Sequence, residues 1–174
     1  MSDAFAAELE NHVSRMYRVA LRIVGDQDEA LDIVQEACVK ALRSASGFDG
    51  RAAPATWLHR ITVNCARDHL RLERRSNRRD VDLDGELTGA VAAMDASPSI
   101  QAERLELYRT ASGWVNALPE DVRTSFALTQ LDGYSYDETS AIQGLPRGTI
   151  ASRVNRARRI LLAQMEEQTD GRST

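Results

Sequence analysis

Every periodic stretch of this 174-residue chain repeats its apolar side chains at three to four residues, and none alternates them at two. An amphipathic helix must bury its apolar stripe, and without strands only other helices can cover it. The expected fold class is therefore all-α. Val13, Tyr17, Ala20, Leu21 and Val24 make the first stripe, which stops at Gly25. A second helix opens on Asp26-Gln27-Asp28-Glu29, an acidic start suited to the positive helix end, and buries Ala30, Ile33, Val34, Ala37, Cys38 and Ala41. Residues 47–55 hold Gly47, Gly50 and Pro54 and read as a loop. Thr56 then caps a long helix with Trp57, Leu58, Ile61, Cys65 and Leu72 on one face.

Residues 76–100 lack a period and are rich in Ala, Gly, Ser and Asp, so they read as a flexible linker. The expected organisation is two small helical domains, 1–75 and 101–166, with a disordered tail at 167–174. In the second domain a helix resumes after Pro98 through Leu105, Tyr108, Ala111 and Val115. Leu118-Pro119-Glu120-Asp121 breaks the chain and starts the next helix with Pro119 at its first position, and that helix ends near Asp132-Gly133. Ser135-Tyr136-Asp137-Glu138 is a capping-box sequence opening a short helix to Gln143. Gly144-Leu145-Pro146 makes a turn, and a final helix runs from about Gly148 to Met165.

The net charge of −4 argues at first against a nucleic-acid partner, but it averages unlike segments. Residues 1–75 are neutral, 76–100 carry −3, 101–144 carry −4 and 145–174 carry +3. Six arginines lie between Arg67 and Arg79, against two acids, and five between Arg147 and Arg159, against none. Lys40 is the only lysine. Arginine's planar fork suits bidentate contact with phosphate and guanine.

Two helices joined by a glycine turn, residues 135–143 and 148–159, have the lengths of a DNA-binding helix-turn-helix. At 100° per residue Ile150, Val154, Ala157 and Leu161 fall on one side of the second helix. Ser152, Asn155, Arg156 and Arg159 fall on the other, with Arg153 and Arg158 flanking them. Short polar and arginine side chains in that position reach base edges, and the flanking arginines reach phosphates. These residues alone leave repressor, activator, recombinase and initiation factor open.

The first half narrows the choice. Its second helix presents Asp32, Gln35 and Glu36 away from the apolar stripe. The run Ala30-Leu31-Asp32-Ile33-Val34-Gln35-Glu36-Ala37 resembles the D-x-V-Q-E helix of sigma factors. Thr56-Trp57-Leu58-His59-Arg60-Ile61-Thr62-Val63-Asn64, leading into Asp68-His69-Leu70-Arg71, is similar to their T-W-L-x-R-I-x-x-N segment. Leu118-Pro119-Glu120-Asp121-Val122-Arg123 resembles the L-P-x-x-x-R element, and Gly133-Tyr134-Ser135-Tyr136-Asp137-Glu138 the G-x-S-Y-x-E element. Pro146-Arg147-Gly148-Thr149-Ile150, then Ser152-Arg153 and Arg156-Ala157-Arg158, resembles P-x-G-T-V-x-S-R-x-x-R-A-R. The matches come in order over about four-fifths of the chain, and the resemblance is to extracytoplasmic-function (ECF) sigma factors of the sigma-70 family.

The resemblance implies roles. Asp32, Gln35 and Glu36 match the surface that docks on the clamp helices of the RNA polymerase β′ subunit, and the second domain would meet the β flap. Phe48, Trp57 and Asn64 match the region that captures a flipped base of the −10 strand, a step that costs a few kcal/mol. Arg67, Arg71, Arg74 and Arg75 would hold phosphates there, with a steep salt dependence. Arg147, Thr149, Ser152, Arg153, Asn155, Arg156 and Arg159 would bind the −35 duplex. Promoter DNA, core polymerase and an anti-sigma protein are the implied partners.

Other chemistries lack their residues. Cys65 and His69 stand four apart, a metal-ligand spacing, but no second Cys/His pair completes a closed set and Cys65 lies on the apolar face. Cys38 and Cys65 are expected as structural thiols, and His12 and His59 have no patterned partners. No phosphate-binding glycine loop, nucleophile elbow or HExxH is present, so no catalysis, metal or cofactor is expected. A DNA-processing enzyme would need a nucleophile with an arginine cage or an acidic metal cluster, and a plain duplex-binding regulator would not need the first half. No run of 18 apolar residues and no apolar leader are visible, so the expectation is a soluble cytoplasmic protein without membrane insertion.

Overall fold

The computed structural model describes residues 2–48, 50, 52–77 and 98–171. Residues 78–97 of the expected linker and the last three of the expected tail lie outside the described residues. Among those described there are seven α-helices and no strand. In chain order they are α1 (Ser2–Val24), α2 (Gln27–Ser44), α3 (Pro54–Asn77), α4 (Pro98–Asn116), α5 (Glu120–Phe126), α6 (Tyr136–Gln143) and α7 (Arg147–Gly171). None is long and apolar enough to cross a membrane.

Local chemistry explains the helix ends. The Asp26 carboxylate accepts from the backbone N–H groups of Asp28 at 2.9 Å and Glu29 at 3.0 Å, which opens α2. The long helix α3 starts two residues before Thr56: Pro54, with φ fixed and no N–H to lose, takes its first turn, and the Trp57 N–H closes on Ala53 O at 3.1 Å. Pro119 lies just outside α5 as its N-cap, not at the first helical position. Ser135 and Glu138 form the expected capping box, with Ser135 N–H donating to Glu138 Oε2 at 2.8 Å. Gly144 ends α6 in the left-handed region, φ +65. The last helix continues past 166, so residues 167–171 of the expected disordered tail are helical; Glu166, Glu167 and Gln168 favour helix, and no breaker intervenes before Gly171.

One irregularity went unpredicted. After α5 the chain does not continue as an α-helix to Asp132 but makes a π turn over Ala127–Leu131, closed by Asp132 N–H to Ala127 O at 2.9 Å. Thr124, Ser125 and Thr129 each turn their hydroxyl back on the carbonyl four residues earlier, at 2.8, 3.0 and 2.9 Å. Such back-bonding competes with the helix ladder and bends it.

The helices α1, α2 and α3 pack on one another around Met16, Val19, Ile23, Ile33, Leu58 and Val63, all at most 1% exposed. Two expected stripes pack on the observed core at all but one residue each, and the core extends beyond them. In α1 the buried residues are Leu9, Met16, Val19, Ala20 and Ile23, while Val13 is 36% exposed. In α3 they include His59, Thr62, Val63, Ala66 and Leu70, while Leu72 is 63% exposed. Both helices are covered on a second side by the C-terminal half, α1 by α5 and the π turn and α3 by α6, which widens the buried arc.

The C-terminal half, α4 to α7, has a small core of its own at Leu118, Val122 and Ala157, with Phe126, Ile160 and Leu161 packed against it. Its Leu128, Tyr134 and Ile142 belong instead to the core of α1–α3. The two halves therefore share one continuous buried seam.

Candidate nucleic-acid interface

The recognition helix α7 is oriented as its periodicity requires. Ile150, Val154 and Ala157 are fully buried, and Ser152, Asn155, Arg156 and Arg159 are exposed on the opposite side. Arg156 and Arg159 have no protein partner among the described residues. Thr149 is half-buried and its carbonyl accepts from Ser152 Oγ at 2.9 Å. Arg147 is exposed and pairs with Asp137 at 3.4 Å, and Arg158 donates to Gln130 Oε1 at 2.8 Å. Arg153 is tied inward, to Asp121 at 3.2 Å and to Gln143 Oε1 at 3.5 Å. Arg123 is buried and donates to Asn116 O at 2.7 Å, fastening the end of α4 to α5; desolvation pulls its pKa down, against the attraction of Glu120.

On α3 the seven-residue spacing sets two rows. Trp57, Asn64 and Arg71 form one; Asn64 and Arg71 are exposed and Trp57 is half-buried. Arg71 makes an exposed pair with Asp68 at 3.3 Å. The Phe48 and Trp57 rings meet at 5.2 Å between centroids, and Phe5 packs edge-on against Trp57 at 5.8 Å. The aromatic pair therefore sits where the loop enters α3, next to the Asn64 row. Arg67 and Arg74 form the other row, which faces the C-terminal half: Arg67 Nη2 donates to Gln143 Oε1 at 2.7 Å and Arg74 pairs with Glu120 at 2.9 Å. Arg67, Arg71, Arg74, Arg75 and Glu120 together line one cleft. Burial lowers the Arg67 pKa, and the neighbouring Arg153 charge adds to that.

On α2 the outward face carries Asp32, Gln35 and Glu36, all exposed, with Glu36 paired to Lys40 at 2.7 Å. Leu31, Val39 and Leu42 lie exposed beside them, at 49, 45 and 50%. Sequence reasoning overlooked these apolar residues; the signal was their spacing of 31, 39 and 42 on the side opposite Ile33 and Ala37.

One group of potential metal ligands closes among the described residues: Glu29, His69 and Glu73, with ligand atoms within 4.8 Å of one another. His69 Nε2 and Glu29 Oε2 approach to 3.4 Å, and neither side chain is fully buried. Burial and then Glu73 raise the Glu29 pKa, with His69 opposing. Cys65 is buried and Cys38 half-buried, and burial raises both thiol pKa values, which disfavours the reactive thiolate.

Comparison with known proteins matches this arrangement in order. Residues 9–76 match the family model for sigma-70 region 2, and residues 115–161 that for sigma-70 region 4. The RNA polymerase sigma-H factor of Pseudomonas aeruginosa is 35% identical over 160 residues, 89% of this chain and 82% of that one. The ECF RNA polymerase sigma-E factor of Escherichia coli strain K12 is 39% identical over 132 residues, 73% of this chain and 69% of that one. The sigma factor RpoE, solved in complex with the anti-sigma factor NepR from Bartonella quintana, superposes with a TM-score of 0.76 at 26% identity, over 94% of this chain and 97% of that chain. CnrH, solved with the cytosolic domain of CnrY, shares the fold with a TM-score of 0.69 at 24% identity, over 96% of this chain and 90% of that chain. The chain belongs to the ECF sigma factors of the sigma-70 family, which act with RNA polymerase in transcription initiation.

Proposed function

We propose that the two halves divide promoter recognition between them. In this reading α7 enters the major groove of the −35 duplex, where Ser152, Asn155, Arg156 and Arg159 meet base edges and Arg147, Thr149 and Arg153 meet the backbone. The −10 strand runs along α3: Phe48, Trp57 and Asn64 receive an unstacked base, and Arg67, Arg71, Arg74 and Arg75 hold its phosphates. The acidic face of α2, with its exposed Leu31, Val39 and Leu42, docks on the β′ clamp helices, and the C-terminal half meets the β flap. The boundaries that go with this division are residues 1–75 and 101–166. An anti-sigma protein is the proposed inhibitor, as the Bartonella relative was solved with one. The protein works in the cytoplasm beside the polymerase, and the proposed role needs no catalytic residue of its own.

The observation that carries this reading is the pair of free guanidinium groups on α7, Arg156 and Arg159, set beside Asn155 on a helix whose other side is fully buried. The test separates the two helices. With holoenzyme, Arg156→Ala should weaken binding to upstream duplex by about 1–3 kcal/mol. Asn64→Ala should leave that binding intact and reduce permanganate-reactive thymines in the −10 region. Equal duplex-binding defects from both substitutions would refute the division.

A further inference from the structure

We infer that Glu29, His69 and Glu73 form a binding site for one divalent transition-metal ion of the zinc type, and that this ion staples α2 to α3. None of the three residues belongs to the proposed DNA or polymerase surfaces.

Position in the helices brings the side chains together. His69 and Glu73 stand four residues apart on α3, so they project from one side of that helix, a turn apart. Glu29 comes from the first turn of α2, which packs along α3. One ligand atom of each lies within 4.8 Å of the other two, and all three residues are half-buried. The four-residue metal spacing in this part of α3 therefore belongs to His69 and Glu73. Cys65, the other residue at that spacing from His69, is turned into the core at 1% exposure.

A distance and an orphaned atom point to a cation. Zinc bonds of about 2.0–2.1 Å, set tetrahedrally, put neighbouring ligand atoms about 3.3–3.4 Å apart. His69 Nε2 and Glu29 Oε2 stand 3.4 Å apart. A direct charge-assisted hydrogen bond between them would be shorter, about 2.7–2.9 Å. Instead His69 Nε2 is shielded from solvent and makes no hydrogen bond. A buried ring nitrogen without a partner is costly, and a metal ion on its lone pair removes that cost. Burial, then the charges of Glu73 and Asp26, hold the Glu29 carboxyl above its ordinary pKa, with His69 opposing. A cation between the two glutamates turns their repulsion into shared ligation.

The donor set selects the ion. Mg²⁺ and Ca²⁺ take oxygen ligands, whereas imidazole suits Zn²⁺ and its first-row neighbours. Three protein ligands leave a fourth tetrahedral position for water. Because the ligands come from two helices, only the folded chain presents them together, and binding stabilises the fold.

The test uses the full chain, first stripped with a chelator. Calorimetric titration should show one Zn²⁺ per chain, and zinc at about ten times its Kd should raise Tm by about 3–6 °C. Mg²⁺ at the same concentration should do neither. Glu29→Gln, His69→Gln and Glu73→Gln should each weaken zinc binding at least about tenfold, since even the outer partners of a ligand are worth that much. Far-ultraviolet circular dichroism of each should match the wild type, the positions being half-buried. His12→Gln, which removes the separate His12–Glu8 pair of α1, and Cys65→Ala should bind zinc as the wild type does. Co²⁺ in place of zinc should give visible d–d bands without a thiolate charge-transfer band. No zinc binding by the wild type, undiminished binding in any of the three ligand variants, or a cobalt–thiolate band would overturn the site.

Discussion

His59 and Tyr134 stand 75 residues apart in the chain and share a buried contact. Burial, together with the nearby charges of Arg15, His12 and Arg18 and against the Ala55 carbonyl, lowers the His59 pKa from 6.5 to about 4. The imidazole is therefore neutral in the folded protein at neutral pH and accepts from Tyr134, whose own pKa is pushed up to about 12, chiefly by burial. The unfolded chain binds the His59 proton near pH 6.5 and the folded chain only near 4, so stability is complete above about 6.5 and falls as pH drops toward 4. The loss is up to about 3 kcal/mol. Urea midpoints at pH 7.5 and 4.5 check this: wild type should lose more stability between them than His59→Gln does. Arg123 gives a second prediction. Arg123→Met keeps the stem but leaves Asn116 O without its donor, and should cost about 1–3 kcal/mol in urea unfolding. Arg123 was visible as a motif position, but its partner seven residues back was not. His59 was unreadable for the reason that makes it informative: its partner lies in the other half of the molecule.

Those helix ends were legible that depend on a cap from neighbours in sequence. The Ser135 capping box, the Asp26 cap and the glycine that ends α6 all stand where their chemistry put them. Ser135→Ala should cost about 1 kcal/mol. Gly144→Ala should cost about the same, because the φ of +65 is unfavourable for a side chain even though nothing lies within 4 Å of the new Cβ. Thermal unfolding of the two variants measures both. The two faces of the recognition helix were legible, Ile150, Val154 and Ala157 lying inward and Ser152, Asn155, Arg156 and Arg159 outward as the 3.6-residue repeat requires. Its length and the inward tie of Arg153 were not. The stripes of α1 and α3 were legible in part, since a helix packed on two sides buries more than one stripe; Leu72 and Val13 were assigned inward and lie outward. The π turn escaped because its cause, three hydroxyls competing for one stretch of ladder, shows only when their acceptors are known.

Across the molecule, a net charge of −4 conceals opposite surfaces. The exposed side of α2 is acidic with apolar insertions, while α3 and α7 turn arginine outward. A protein that holds promoter DNA through these arginines should bind with a steep salt dependence. Replacing a backbone contact such as Arg147 with alanine should lower the slope of log K against log salt by about 1 and leave sequence preference intact. The two-half organisation followed from composition and motifs. The closed seam did not, because Arg22–Asp132, Arg67–Gln143 and Arg74–Glu120 join residues that no local pattern links. Run-off transcription with core polymerase, with and without the protein, on templates enriched by the holoenzyme decides whether the chain confers promoter specificity. The account predicts a discrete product only when the protein is present, lost in Arg156→Ala through failed upstream binding and in Asn64→Ala through failed opening. A product made equally well by core alone, or none with the protein added, would contradict it.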